Sequence, residues 1–249
     1  MTALMGLSQI LRTAKLQVIT DLSAADDFAR LCNDLFNAGV DLIQVRETGL
    51  DRDQSVKVLE SARQVAFDHR KMLVVGRDVE LAAAYGADFL HLGASDGELP
   101  SARAKLSEFS LVGRSVHRAE ELSSTGADYL FVGPVYGENV PGLGLVGEAA
   151  VAHPVVDVNS LPWFAVGGIN ADNLDEVLEA GAVRIAVSSA VTKAADPAAA
   201  AGALAERIGQ VWRESNDLRS YVMAALGGGG ALLGQPPAPP GPHDGPRAQ

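Results

Sequence analysis

An α/β fold, a single closed (β/α)8 TIM barrel, is the expected architecture, and three patterns point to it. Eight short apolar runs rich in β-branched residues recur along the chain. Most are separated by stretches with helical spacing. A small phrase, Gly-Ala-Asp or a near variant, recurs just before several of the runs.

The runs lie at 16–20, 42–45, 72–75, 89–92, 111–113, 129–132, 163–166 and 184–187. Their composition is nearly continuous in apolar residues, as expected of strands buried on both faces of a parallel sheet covered by helices. Between them, 28–38 reads as a helix that carries Cys32 among apolar residues. The stretch 51–69 places Val56, Leu59, Ala62, Ala66 and Phe67 on one helical stripe, and 172–180 does the same with Leu174, Val177 and Leu178. Gly39, Gly86, Gly126 and Gly181 each precede a strand, where a left-handed cap releases the chain from a helix. Eight such units favour closure into a barrel, although an open doubly wound sheet would share the strand count.

Composition narrows the function. The formal net charge of -11 opposes nucleic-acid binding, which draws on excess Lys and Arg. It leaves room for a small phosphorylated substrate held at a local site. One Cys in 249 residues excludes a disulfide scaffold and reads as a small buried hydrophobe in a reducing cytoplasm. No apolar run reaches the length of about 18 residues that a membrane helix needs, and 1–13 has no features of a secretory leader. A barrel domain is expected over 14–215. The Gly- and Pro-rich 224–249, with four consecutive glycines from Gly227, is expected to be a disordered tail.

In a barrel of this kind the active site gathers at the C-terminal strand ends. The ends of the seventh and eighth runs carry Gly167-Gly168 and Ser188-Ser189, a pattern suited to holding phosphate on backbone N–H groups. Arg46, after the second run, can meet a phosphate as a planar fork or form a rim ion pair with Glu47 or Asp78. Asp78 and Asp96 follow neighbouring runs and could converge on one Mg2+; Asp78 reads equally well as the N-cap of a helix starting at Val79. His91 reads as a hydrogen-bonded core residue, and His117 as either a site residue or a cap.

Taken in order, these strand ends resemble a known family. Gln44-x-Arg46-Glu47, Val79-Glu80-Leu81-Ala82, His91-Leu92-Gly93, Gly113-Arg114-Ser115, Gly126-Ala127-Asp128-Tyr129, Gly133-Pro134 and Ala165-Val166-Gly167-Gly168-Ile169 are similar to the thiamine phosphate synthase and TenI-like family over roughly 16–208. The resemblance implies a transferase of thiamine biosynthesis. It would couple hydroxymethylpyrimidine diphosphate to thiazole phosphate with release of diphosphate, assisted by Mg2+. It implies that Gln44 and Arg46 meet the pyrimidine and diphosphate, that Ser115 touches substrate, and that Asp96 binds the metal. Gly168 and Ser189 would cradle the thiazole phosphate, with Gly167 and Ser188 beside them. Phosphorylated small molecules are the implied partners, and a homo-oligomer is left open.

The chain also departs from the family pattern. Thr48 stands where the family carries Lys, and Ala94 where it carries Gln. Gly76-Arg77 stand where it carries Asn-Asp, the Asp being a Mg2+ ligand. A shorter run from Tyr136 to Pro141 replaces a Thr-x-Thr-Lys loop. Pro134 follows Gly133 as in the synthases, where TenI-like tautomerases carry His. These departures supply the alternative expectation, a TenI-like or non-catalytic regulatory barrel that binds thiazole phosphate. A third, an isomerase of another phosphometabolite, would use His91 or His117.

Overall fold

The computed structural model describes residues 6–46, 49–123 and 126–227. Eight parallel strands close into a barrel in sequence order: β1 (Leu16–Thr20), β2 (Leu42–Val45), β3 (Met72–Gly76), β4 (Phe89–Leu92), β5 (Leu111–Val116), β6 (Tyr129–Val132), β7 (Trp163–Val166) and β8 (Ile185–Val187). The ring closes where β8 pairs with β1, Val18 opposite Val187. Outside lie α1 (Leu7–Thr13), α2 (Phe28–Asn37), α3 (Arg52–His69), α4 (Val79–Tyr85), α5 (Leu99–Arg103), α6 (Gly142–Ala152), α7 (Leu174–Glu179), α8 (Ser189–Thr192), α9 (Pro197–Glu214) and α10 (Asn216–Ala225). Among the described residues between β5 and β6, the regular structure is a short 3-10 turn, Ala119–Glu121.

The strands are buried on both faces, and the two faces feed separate cores. Leu16, Val18, Ile43, Val45, Leu90 and Leu92 point outward into the layer shared with the helices. Ile19, Leu42, Val74, Phe89, Tyr129, Phe131 and Phe164 fill the barrel interior. Cys32 lies in the outer layer with no exposure, where burial pushes its thiol up to about 12. It is therefore an inert apolar filler.

Three of the four recurrent joints serve as expected: Gly86 takes φ 67° at the C-cap of α4, and Gly39 and Gly181, also at positive φ, follow the ends of α2 and α7. Gly126 has positive φ too, but among the described residues no α-helix lies between β5 and it. The acidic residue of the phrase has a second use. Asp41 Oδ2 accepts from the Lys15 and Leu16 N–H groups at 2.7 and 3.1 Å, and Asp128 Oδ2 accepts from Val112 N–H at 2.7 Å. Each carboxylate thus ties its own strand to the one before it.

The folded body extends beyond 14–215 at both ends. Ile10 and Leu11 of α1, with Ala14, join the inner core and seal the bottom of the barrel. Leu218 and Tyr221 of α10 are buried, and the Tyr221 hydroxyl accepts from Arg184 Nη2 at 3.0 Å. Arg184 is itself buried, stacked near Trp212 and Tyr221, and donates to the Arg12 carbonyl at 2.8 Å. The expected tail begins too early: Ala224 and Ala225 complete α10. The rest of that tail, 228–249, lies outside the described residues.

Candidate active site

Residues at the C-terminal ends of the strands form a polar layer above the aromatic interior. Gln44 of β2, His91 of β4 and Ser115 of β5 contribute to it. Gln17 Nε2 donates to Gln44 Oε1 at 2.8 Å, and both amides are buried. Gly76 leaves room for this pair, because a Cβ there would sit 2.7 Å from Gln44 Nε2. His91 Nε2 lies 3.0 Å from Ser115 Oγ, and its ring stacks on Phe131 with centroids 3.8 Å apart. Gln17 and Phe131 carry no signal in the sequence that ties them to the site, since only closure of the barrel brings them to Gln44 and His91.

His91 is a neutral imidazole. Burial lowers its pKa from 6.5 to about 3, outweighing the attraction of Asp96. The unfolded chain therefore binds a proton that the folded chain refuses between these values. This group's contribution to stability is present above pH 6.5 and is lost as pH falls from there towards 3. A His91→Gln variant should show a flatter acid limb in urea unfolding between pH 4 and 7. An unchanged pH slope would contradict the assignment.

On the other side of the mouth, the β6, β7 and β8 ends pack closely. Val135 N–H donates to Val166 O and Tyr136 N–H to Gly167 O, each at 2.9 Å, so the loop after β6 lies along the loop after β7. Gly168 takes φ 71°, and a Cβ there would stand 2.6 Å from Tyr136 Cβ. The Asn173 side chain steadies the turn, donating to Gly168 O at 3.0 Å and accepting from Asn170 N–H at 2.9 Å. The β7–β8 register pairs Val166 with Ala186, which carries Gly168 alongside Ser188 just past the strand ends. Gly168 and Ser189 are exposed and Ser188 is half-buried. Among the described residues, no acceptor takes the N–H groups of Gly168, Ser188 or Ser189. Outward-facing N–H groups at such a turn suit a phosphate.

The remaining site residues lie on the rim after β2, β3 and β4. Arg46 is exposed and makes no ion pair with any described residue; its backbone N–H donates to Thr20 O at 2.9 Å. Glu47 and Thr48 lie outside the described residues. Asp78 serves as the N-cap of α4, its Oδ1 accepting from Leu81 N–H at 2.8 Å. Asp96 Oδ2 accepts from Gly93 N–H at 2.8 Å, while Asp96 Oδ1 accepts from Arg77 Nη2 at 2.9 Å. Arg77, Gly93, Asp96, His117 and Arg118 line a cavity of about 500 Å³ beside the mouth. His117 is held through Nδ1 against the Gly133 carbonyl.

This donor set does not suit a Mg2+ ion shared by Asp78 and Asp96. Mg2+ needs convergent oxygen ligands. Here Asp78 caps a helix, and the free face of Asp96 already meets a guanidinium. No group of three or more His, Cys, Asp or Glu side chains among the described residues could hold a metal ion.

Comparison with known proteins places this geometry in context. The family model described as "Thiamine monophosphate synthase" matches residues 16–191. A thiamine-phosphate synthase of Thermobifida fusca is 39% identical over 209 residues, covering 80% of this chain and 94% of that protein. Its counterpart from Streptomyces avermitilis is 37% identical, covering 80% of this chain and 95% of that protein. Among solved structures, thiamine phosphate pyrophosphorylase from Pyrococcus furiosus superposes with a TM-score of 0.70 at 29% identity, covering 81% of this chain and 98% of that one. No helix among the described residues is long and apolar enough to cross a membrane.

Proposed function

The chain belongs to the thiamine monophosphate synthase family, and on that premise we propose that it joins hydroxymethylpyrimidine diphosphate to thiazole phosphate, releasing thiamine phosphate and diphosphate. The observation that carries the reading is the layout of one barrel mouth. Free N–H groups at Gly168, Ser188 and Ser189 occupy one side. The Gln44, His91 and Ser115 layer occupies the other. A phosphate anchored on the first side leaves the thiazole ring directed across the mouth at a pyrimidine held on the second.

The reaction needs no general base. The C–O bond between the pyrimidine methylene and the diphosphate breaks, and both electrons leave with the diphosphate oxygen. The thiazole nitrogen lone pair forms the new C–N bond. No proton moves, so the protein's tasks are to orient the two rings and to stabilise the charge gathering on the leaving group. Neutral His91 and Ser115 supply hydrogen-bonding groups on the pyrimidine side without adding charge. Gln44, braced by Gln17, offers its amide in a fixed orientation. Arg46, uncommitted to any described carboxylate, is the mobile cation for the diphosphate. The substrates are free phosphorylated small molecules, and the cytoplasm is the compartment this reading assumes.

The purified chain incubated with both substrates should yield thiamine phosphate; no product above the uncatalysed background would reject the reading. Arg46→Ala should lower kcat/KM by about 100-fold or more, the scale of losing one donor to developing charge. Its loss should be read in the diphosphate substrate series, with thermal stability unchanged because the side chain is exposed.

A further inference from the structure

The rim between β3 and β4 carries a cation of its own. We propose that the Arg77 guanidinium, held on Asp96, takes the place of a divalent cation and receives the departing diphosphate, so that the protein binds diphosphate with no metal ion of its own. The proposal rests on the synthase reading for the identity of the leaving group.

Four observations carry it. First, position 77, where the family resemblance implies a carboxylate ligand, is occupied by a guanidinium that reaches the other implied ligand, with Arg77 Nη2 2.9 Å from Asp96 Oδ1. Second, the pair is built into the fold. Arg77 sits at φ 68°, a conformation unusual for a residue with a side chain, and its N–H is tied to His91 O at 2.7 Å. Asp96 is 12% exposed and anchored by the Gly93 N–H, and a Cβ at Gly93 would stand 2.9 Å from its Oδ2. Third, the pair leaves donors to spare. A guanidinium has five N–H groups, and Arg77 is more than half exposed in the cavity, so further donors can meet phosphate oxygens as a fork. Its neighbour Arg118 is instead bound to Glu121 through Nε and Nη2 at 2.9 and 2.6 Å. Fourth, Asp78 faces the α4 N-terminus, and Glu121, which also lines the cavity, is taken up by Arg118 and the His117 N–H, so neither of these carboxylates is free to offset the repulsion between Arg77 and an incoming divalent cation.

In the transfer step, the electron pair of the breaking C–O bond settles on the diphosphate oxygen. Arg77 meets that added negative charge, and the thiazolium formed by C–N bond formation balances it. No further reactant is required.

The test uses the full chain. Inorganic diphosphate is titrated by calorimetry in buffer containing EDTA. Wild type should bind, and Arg77→Ala should weaken binding by about tenfold or more, the scale of a charge-assisted hydrogen bond. Mn2+ binding is followed by electron paramagnetic resonance. Wild type should show no site, Arg77→Asp should gain one, and adding Asp96→Asn should remove it again. Product formation by wild type should persist in EDTA. The proposal is overturned if wild type loses diphosphate affinity in EDTA, if Arg77→Ala leaves that affinity intact, or if wild type binds Mn2+ through Asp96. Absence of product with and without Mg2+ would reject the synthase reading instead, while the diphosphate and Mn2+ titrations still decide the role of Arg77.

Discussion

A Gly168→Ala variant is expected to fold and yet to lose about 100-fold in kcat/KM, the scale of a displacement of about 1 Å at a positioning group. The new Cβ would meet Tyr136 Cβ at 2.6 Å and the Tyr136 carbonyl oxygen at 2.9 Å, on a backbone at φ 71°. Neither obstacle is a flexible side-chain end. Tyr136 is tied by its N–H to Gly167 O and by its hydroxyl to Glu176 Oε2 at 3.0 Å. The turn must therefore move, and its N–H groups move with it. The loss should appear chiefly as a raised KM for thiazole phosphate, because the phosphate cradle is what shifts. Steady-state kinetics with each substrate varied in turn, beside a thermal melt, checks this. An unaltered thiazole phosphate KM in a well-folded variant would remove Gly168 from the site.

A large loss of stability is expected of Gly113→Ala. A Cβ at Gly113 would lie 2.2 Å from Tyr129 Cζ and 2.5 Å from both Cε atoms. The Tyr129 ring is fully buried and wedged among Phe89, His91, Phe131 and Phe164. It has no free volume to retreat into, since interiors pack at near-crystalline density. Overpacking of this severity costs about 3 kcal/mol or more. That is a large share of a typical net stability of about 5–15 kcal/mol. It corresponds to a fall in Tm of about 6–12 °C for a chain of this size. Differential scanning calorimetry of Gly113→Ala, Tyr129→Leu and the double variant checks the cause. The double variant should be more stable than the sum of the single losses predicts, because Leu removes the atoms that the new Cβ strikes. Additive losses would place the strain elsewhere.

The strands were legible because each is a local run of apolar residues. β1, β2, β4, β6 and β7 begin and end where that pattern does. β5 continues to Val116, three residues beyond its apolar run. Ser115, beyond that run, turns into the polar layer of the mouth and bonds His91. β8 starts one residue late, at Ile185, after Arg184, whose side chain serves the barrel floor. The helix at the C-terminal end of the folded body was obscured for another reason. Its buried face is short, Leu218 and Tyr221, and it runs straight into the Gly-rich stretch. Among site residues, Asp78 illustrates a choice that residue type leaves open. An aspartate one place before a helix can cap or ligate, and its hydrogen bond to Leu81 N–H assigns it to the cap.

The sequence by itself determined the α/β class, the eight strand segments and the Gly and Ser positions at the seventh and eighth ends, and it favoured a barrel over an open sheet. Those are local properties, carried by the spacing of apolar residues and by the few residue types that tolerate a tight turn. Only the tertiary structure decided which polar groups meet. Gln17 with Gln44, His91 with Ser115, and Arg77 with Asp96 are 27, 24 and 19 residues apart. Their contact depends on strand register and on the curvature of the closed ring: Gln17 stands opposite Leu42 and His91 opposite Gly113, so Gln17 meets Gln44 and His91 meets Ser115 on a diagonal across neighbouring strands. The same closure set the guanidinium of Arg77 against Asp96 and left the Gly168 turn pressed against Tyr136.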